Sequence, residues 1–220
     1  MGKTAIVLGA SGLTGKLLLN QLLEDEDYTS VKIFTRRSLK LVHPKLKEYV
    51  GDLLKLEEFK KDFTGDEVFC CIGTTAKKTK DKAIYKKIDF GIPTSAAKLA
   101  RANKIKSFVV ISALGANHKS NIFYNRTKGE MEKVILNQKI ANTYILRPSL
   151  IKGKREENRL GEGVGAFFMK MVNPFLCGGW KKYRAIEAET IANAMHALAQ
   201  AKPDYNIIES DKIQAIGAYL

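Results

Sequence analysis

Thr4-Ala5-Ile6-Val7-Leu8-Gly9-Ala10-Ser11-Gly12-Leu13-Thr14-Gly15 decides how the rest of the chain is read. Residues 4–8 are a short apolar run stopped by glycine, which is the pattern of a strand. From Leu13 to Leu23 the apolar residues recur at helical spacing instead. Between the two, glycines recur as Gly-x-x-Gly-x-x-Gly. Glycine permits the tight turn, lets backbone approach a pyrophosphate and lets the helix pack close to the sheet. The free amides and positive dipole end of that helix then face the phosphates. Gly9, Ser11, Gly12, Leu13, Thr14 and Gly15 are therefore the candidate cradle. A tight turn without a ligand is the alternative, and the strand-before, helix-after context weighs against it.

Outward from this turn, residues 31–35, 67–72, 108–111 and 143–146 read as strands, with a weaker one near Tyr49-Val50. A long helical pattern carries Ala96, Ala97, Leu99 and Ala100 near its end. Continuous Val/Ile/Leu/Phe runs suit parallel strands buried on both faces. Their alternation with helical segments predicts an α/β fold, a Rossmann-type doubly wound parallel sheet. After Arg147-Pro148 the texture changes: four glycines in 153–165, an apolar stretch over 166–176, and a turn at 177–180. An amphipathic helix over 187–199, a strand near 206–208 and a short helix ending near Gly217 follow.

The chain has 220 residues, 45% hydrophobic and 27% charged, which suits one domain with a core and excludes disorder. No apolar run approaches the roughly 20 residues of a membrane span. The opening residues are too short and wrongly flanked for a signal peptide, which predicts a cytosolic protein with no membrane partner. A formal charge of +14 favours anionic partners without bearing on fold. Cys70 and Cys71 are adjacent, and the three cysteines have neither disulfide nor zinc spacing, so they read as small buried residues in a reducing compartment. No metal site is expected, and His196 reads as structural.

Phe34-Thr35-Arg36-Arg37 ends the second strand without the carboxylate that NAD-preferring sites use there. Arginine instead meets a 2′-phosphate through a forked, charge-assisted pair of bonds. The expected cofactor is NADP(H), with Arg36 favoured over Arg37 by its position. Exposed arginines after a strand are the bland alternative.

Tyr124 and Lys128 stand four apart in a helical pattern and so share one face. An ammonium beside a phenol stabilises the phenolate, which makes tyrosine a usable acid for a carbonyl oxygen receiving hydride. With eight tyrosines in a lysine-rich chain, about one Tyr-x-x-x-Lys arises by chance. Tyr28/Lys32 also has the spacing, but it falls before the second strand, at the wrong end of the sheet. A tyrosine that merely packs on the core is the alternative reading of Tyr124.

The glycine turn, Cys71-Ile72-Gly73-Thr74-Thr75, Phe123-Tyr124-Asn125-Arg126-Thr127-Lys128-Gly129-Glu130 and Leu146-Arg147-Pro148 together resemble the atypical, NmrA-like short-chain dehydrogenase/reductases. Among these, the chain is most similar to the small oxidoreductases of the HIV Tat-interactive (TIP30-like) family. The resemblance implies that Asp52, with Leu53 beside it, meets the adenine, and that Gly73, Thr74 and Thr75 line the nicotinamide ribose, which Lys128 also reaches. It implies Tyr124 as acid/base with Lys128 in support. Relatives carry a serine pair whose second member is catalytic. Here Val110-Ile111-Ser112-Ala113 puts alanine in that place, leaving Ser112 to take over or to bond locally. No asparagine on the preceding helix marks a water relay. Residues 1–150 are expected to form the NADP-binding core and 151–220 a substrate-side elaboration of the same domain. The function implied is hydride transfer between nicotinamide and a carbonyl/alcohol or quinone substrate. A non-enzymatic NADP(H)-binding redox sensor with a protein partner is the alternative.

Lys77, Lys78, Lys80, Lys82, Lys86 and Lys87 crowd one segment, readable as a lid that draws in an anionic substrate or as a solvated loop. Specific nucleic-acid binding would want interleaved aromatics, and only Tyr85 is near. Lys154, Arg155, Glu156, Glu157 and Arg159 fall on the substrate side or form a surface network. Trp180 and Tyr183 either wall the cleft or simply pack.

Overall fold

The computed structural model describes residues 2–75, 78–153 and 182–218. The glycine-rich, apolar and turn-forming stretches expected within 154–181 lie outside these residues, as do Lys77, Lys154, Arg155, Glu156, Glu157, Arg159 and Trp180.

Seven strands form one sheet: β1 (Lys3–Leu8), β2 (Tyr28–Thr35), β3 (Leu46–Val50), β4 (Glu67–Cys70), β5 (Ser107–Ile111), β6 (Asn142–Arg147) and β9 (Ile207–Glu209). Their order is β3-β2-β1-β4-β5-β6-β9, with every pairing parallel. The helices are α1 (Leu13–Glu24), α2 (Lys82–Lys86), α3 (Ile92–Ala102), α4 (Phe123–Leu136), α5 (Ala188–Ala201) and α6 (Ser210–Gly217). A two-residue ladder joins β7 (Ile151–Lys152) to β8 (Ile186–Glu187). This is the Rossmann-type fold expected, and β9 brings residues beyond 150 into the central sheet.

Strand alternation sorts the core into two layers. Ala5 and Val7 face α1 and α5, packing with Leu18, Leu22, Ile191 and Met195. Ile6 and Leu8 face the other way, with Phe34, Leu56, Ala96, Leu99 and Met131. Both faces are covered, which is why the strands read as unbroken apolar runs.

Three details differ from the sequence expectation, the first being that β2 begins at Tyr28, three residues before the expected start. The strand expected over 67–72 ends at Cys70, although Cys71 still donates its amide to Leu8 (2.9 Å). The long helical pattern is interrupted by a π-helical turn, Lys87–Gly91, between α2 and α3. Pro93 lacks the amide that a regular helix would close onto the carbonyl of Asp89, and the wider turn forms where that bond is missing.

Between β1 and β4 the strand order reverses, which opens a crevice at the carboxyl ends of the strands. Gly9 takes φ +84° there, and a Cβ on Gly15 would lie 2.1 Å from the Gly9 carbonyl oxygen. Only glycines let this turn close and α1 sit down on it.

Candidate active site

A cleft of about 540 Å³ occupies that crevice. Its floor is the start of α1 (Gly12, Leu13, Thr14) and the segment after β4 (Cys71 to Thr75). One wall carries Ser112 and Ala113 from the end of β5, with Tyr124 and Lys128 from α4. Ile151 and Tyr183, from beyond β6, also line the cleft. Expected site residues from four separate segments therefore converge on one space.

α1 opens with Gly12, which has no side chain to cap the helix, and no acidic residue lies in its first turn. The amide-rich, positive end of α1 is thus presented to the cleft. Gly9, Ser11 and Gly15 shape this turn without lining the cleft itself. Arg36 and Arg37 follow β2 beside it, both exposed, and among the described residues neither side chain has an ion-pair partner. Gly51 donates to the Thr35 carbonyl (2.9 Å), which sets the Asp52 loop next to them. Asp52 is exposed, and its carboxylate accepts from the Leu54 amide (3.0 Å), whereas Leu53 is buried in the core. This donor set suits a dinucleotide: a cradle that a Cβ would fill, an uncapped helix start, and two unpaired guanidinium groups.

Tyr124 stands on the first turn of α4, 39% exposed, and Lys128 lies one turn on, buried. Tyr28 and Lys32 both lie within β2, which begins at Tyr28 instead of after it, and they are committed elsewhere: Tyr28 donates to Glu67 (2.5 Å) and Lys32 to the Asp62 carbonyl (3.0 Å).

Lys128 has a partner that was not foreseen. Its ammonium lies 2.9 Å from Asp89 Oδ1, with both side chains almost fully buried, and Asp89 Oδ2 accepts from the Thr74 amide (2.7 Å). Burial works against the Lys128 charge, but Asp89 outweighs it and holds the ammonium above its ordinary pKa. The phenol of Tyr124 is pushed up, first by burial, with Lys128 pulling down and Asp89 pushing up. The lowering expected from Lys128 alone is thus outweighed.

Ser112 lines the cleft, yet its hydroxyl donates to Glu132 Oε1 (2.5 Å). Glu132 is in turn gripped by Arg147 through Nε (2.9 Å) and a terminal nitrogen (2.6 Å), and Arg147 also reaches Glu209 (3.0 Å). Ser112 is thus bonded to α4 while remaining part of the cleft lining. Asp89 and Glu132 are the site residues that sequence reasoning missed. The faint signals were an acid ending a six-lysine stretch and a carboxylate two turns past Tyr124 on the same helix.

In the basic segment, Lys86 pairs with Glu130 of α4 (2.7 Å), and Lys82 lies over the Phe123 ring, 5.7 Å from its centroid. His196 meets Asp25 (2.7 Å), a structural link between α5 and the end of α1. Among the described residues there is no cluster of metal-ligating side chains, and no helix is long and apolar enough to cross a membrane.

Known proteins match this chain in both sequence and fold. Rat HTATIP2 is 29% identical over 221 residues, covering 98% of this chain and 89% of its own length. FMP52 of Candida albicans is 30% identical over 97% of this chain and 94% of its own. FMP52-1 of Scheffersomyces stipitis is 34% identical over 71% and 70%. Both fungal proteins are named as mitochondrial, which differs from the cytosolic expectation. Among solved structures, the UDP-glucose 4-epimerase of Thermotoga maritima superposes with a TM-score of 0.70 at 18% identity, covering 93% of this chain and 75% of that one. Bordetella bronchiseptica WbmH, solved with NAD+, gives 0.72 at 13% identity, over 94% and 75%. At such identities the likeness is one of fold. A family model described as NAD(P)H-binding matches residues 9–172, from the glycine turn through the whole Tyr124–Lys128 helix, and the chain belongs to that NAD(P)H-binding family.

Proposed function

We propose that the protein is an NADP(H)-dependent oxidoreductase of the atypical short-chain class, acting on a carbonyl/alcohol or quinone substrate. One observation carries the reading: Tyr124 and Lys128 open into the same cleft as the uncapped start of α1. The bound nicotinamide would supply or accept hydride. Arg36, with Arg37 beside it, selects the 2′-phosphate, and Asp52 and Leu53 border the adenine. Gly73, Thr74, Thr75 and Lys128 flank the ribose. Tyr124 gives its proton to the substrate oxygen, and Lys128 holds the phenolate that remains. Residues beyond 150 supply the substrate side, through Ile151 and Tyr183. The surface charge favours an anionic substrate. Free Cys70 and Cys71 suit a reducing compartment, of which the cytosol is one.

The Ser112–Glu132 bond favours a second reading, because it takes up the hydroxyl that a full catalytic set would aim at substrate. In that reading the protein binds NADP(H) as a redox sensor and passes its state to a protein partner.

Calorimetry with NADPH and NADH, followed by a screen of aldehydes, ketones and quinones, tests both. We expect NADPH to bind at least about tenfold tighter than NADH, with that preference lost in Arg36→Ala. Turnover is expected to fall by about 10²–10⁴ in Tyr124→Phe. Equal affinities would remove the NADP assignment. Tight binding without any turnover would select the sensor.

A further inference from the structure

Asp89 and Lys128 form an ion pair in the lining of the cleft, both side chains almost fully buried. Asp89 is 1% exposed and sits on the π-helical turn, where the widened backbone carries its side chain against Lys128. One carboxylate oxygen meets the ammonium at 2.9 Å, and the other is fixed by the Thr74 amide at 2.7 Å. Gly73 roofs the pair: a Cβ there would lie 3.5 Å from Asp89 and 3.9 Å from Lys128. The ammonium is therefore held in place and electrically matched before any ligand arrives.

An unmatched buried ammonium would draw the proton off a neighbouring phenol. A carboxylate paired with the ammonium opposes that pull, since two opposite charges at close range act on a third group nearly as a dipole. The groups around Tyr124 are Lys128 on its own helix, Asp89 from the π turn and Tyr85 from α2, whose ring lies edge-on at 6.2 Å. Tyr183 also lines the cleft, and the Cys70 thiol of β4, close enough to act on Lys128, is pushed up to about 11 by burial. Lys86 and Glu130 neutralise each other between α2 and α4.

We propose that Asp89 is a positioning residue of the proton-transfer site: it clamps Lys128, offsets its charge and so keeps Tyr124 a neutral proton donor. This rests on the reading of Tyr124 as acid/base. Its consequence is a direction. As hydride adds to a carbonyl carbon, the Tyr124 O–H bond breaks, the substrate oxygen takes the proton, and a phenolate is left beside Lys128. A donor kept protonated suits reduction of an aldehyde, ketone or quinone better than oxidation of an alcohol.

The test reads the phenol directly and needs no substrate. Protein carrying ¹³Cζ-labelled tyrosine is titrated by NMR, with the Tyr124 signal assigned by its loss in Tyr124→Phe. In the wild-type protein the signal should titrate above the range of free tyrosine. In Asp89→Asn it should move to lower pH by about one unit. A wild-type phenol titrating near neutrality would overturn the proposal, as would an unmoved curve in folded Asp89→Asn. The wild-type measurement stands even if that variant does not fold. NADPH calorimetry on the same samples separates the two claims, since failure to bind sinks the cofactor reading and leaves the titration result intact.

Discussion

Arg147 spends one guanidinium on two acids, Glu132 and Glu209, while only 19% of its side chain is exposed. Hydrogen bonding to Glu132 is the largest influence holding its charge in place. Arg147→Met would leave the Glu132 carboxylate buried with only the Ser112 hydroxyl. We expect a loss of about 3 kcal/mol, read as a lower urea midpoint at unchanged slope. A midpoint within error of wild type would show that the network is dispensable. The sequence carried Arg147 only as part of a family-like motif, Leu146-Arg147-Pro148, and said nothing of its task. Tyr124 and Lys128 were legible because both lie on one helix, where spacing alone fixes a shared face. Asp89 and Glu132 were not, because their partners come from other segments and meet them only through tertiary packing.

Helix α1 is placed by contact, not by capping. Its start has no side-chain cap, and its approach to the β1 turn depends on the missing Cβ of Gly15. Gly15→Ala would drive a methyl group into the Gly9 carbonyl and lift the helix from the turn. We expect NADPH affinity to fall at least about tenfold, along with a stability loss of about 1–3 kcal/mol. Calorimetry and thermal unfolding check the two parts, and an unchanged affinity would detach the turn from cofactor binding. The strands of the central sheet and the longer helices were readable, because runs of four to eight apolar residues and amphipathic repeats separate strand from helix. The π-helical turn escaped, since one widened turn is too short to alter a periodic pattern. Pro93 was its one local sign.

The molecule as a whole hides several groups that ionise in alkali. Burial is the first cause that raises Tyr28, Tyr85, Cys70 and Cys71, and Glu67 adds to it for Tyr28. A group whose pKa is raised by folding contributes fully below its unfolded pKa and loses that contribution as pH climbs through the folded one. For Cys70 the loss runs from about pH 9 to about 11. The melting temperature should therefore fall across that range, and less steeply in Cys70→Ala. A flat profile from pH 8 to 11 would contradict this. At this scale the sheet was written most plainly in the chain, because strands covered on both sides can carry almost nothing but apolar residues. The small ladder of β7 and β8 was not, since two residues leave no periodicity. That ladder ties Ile151, which lines the cleft, to Ile186, two residues before α5, so any displacement of α5 is carried straight to the cleft wall.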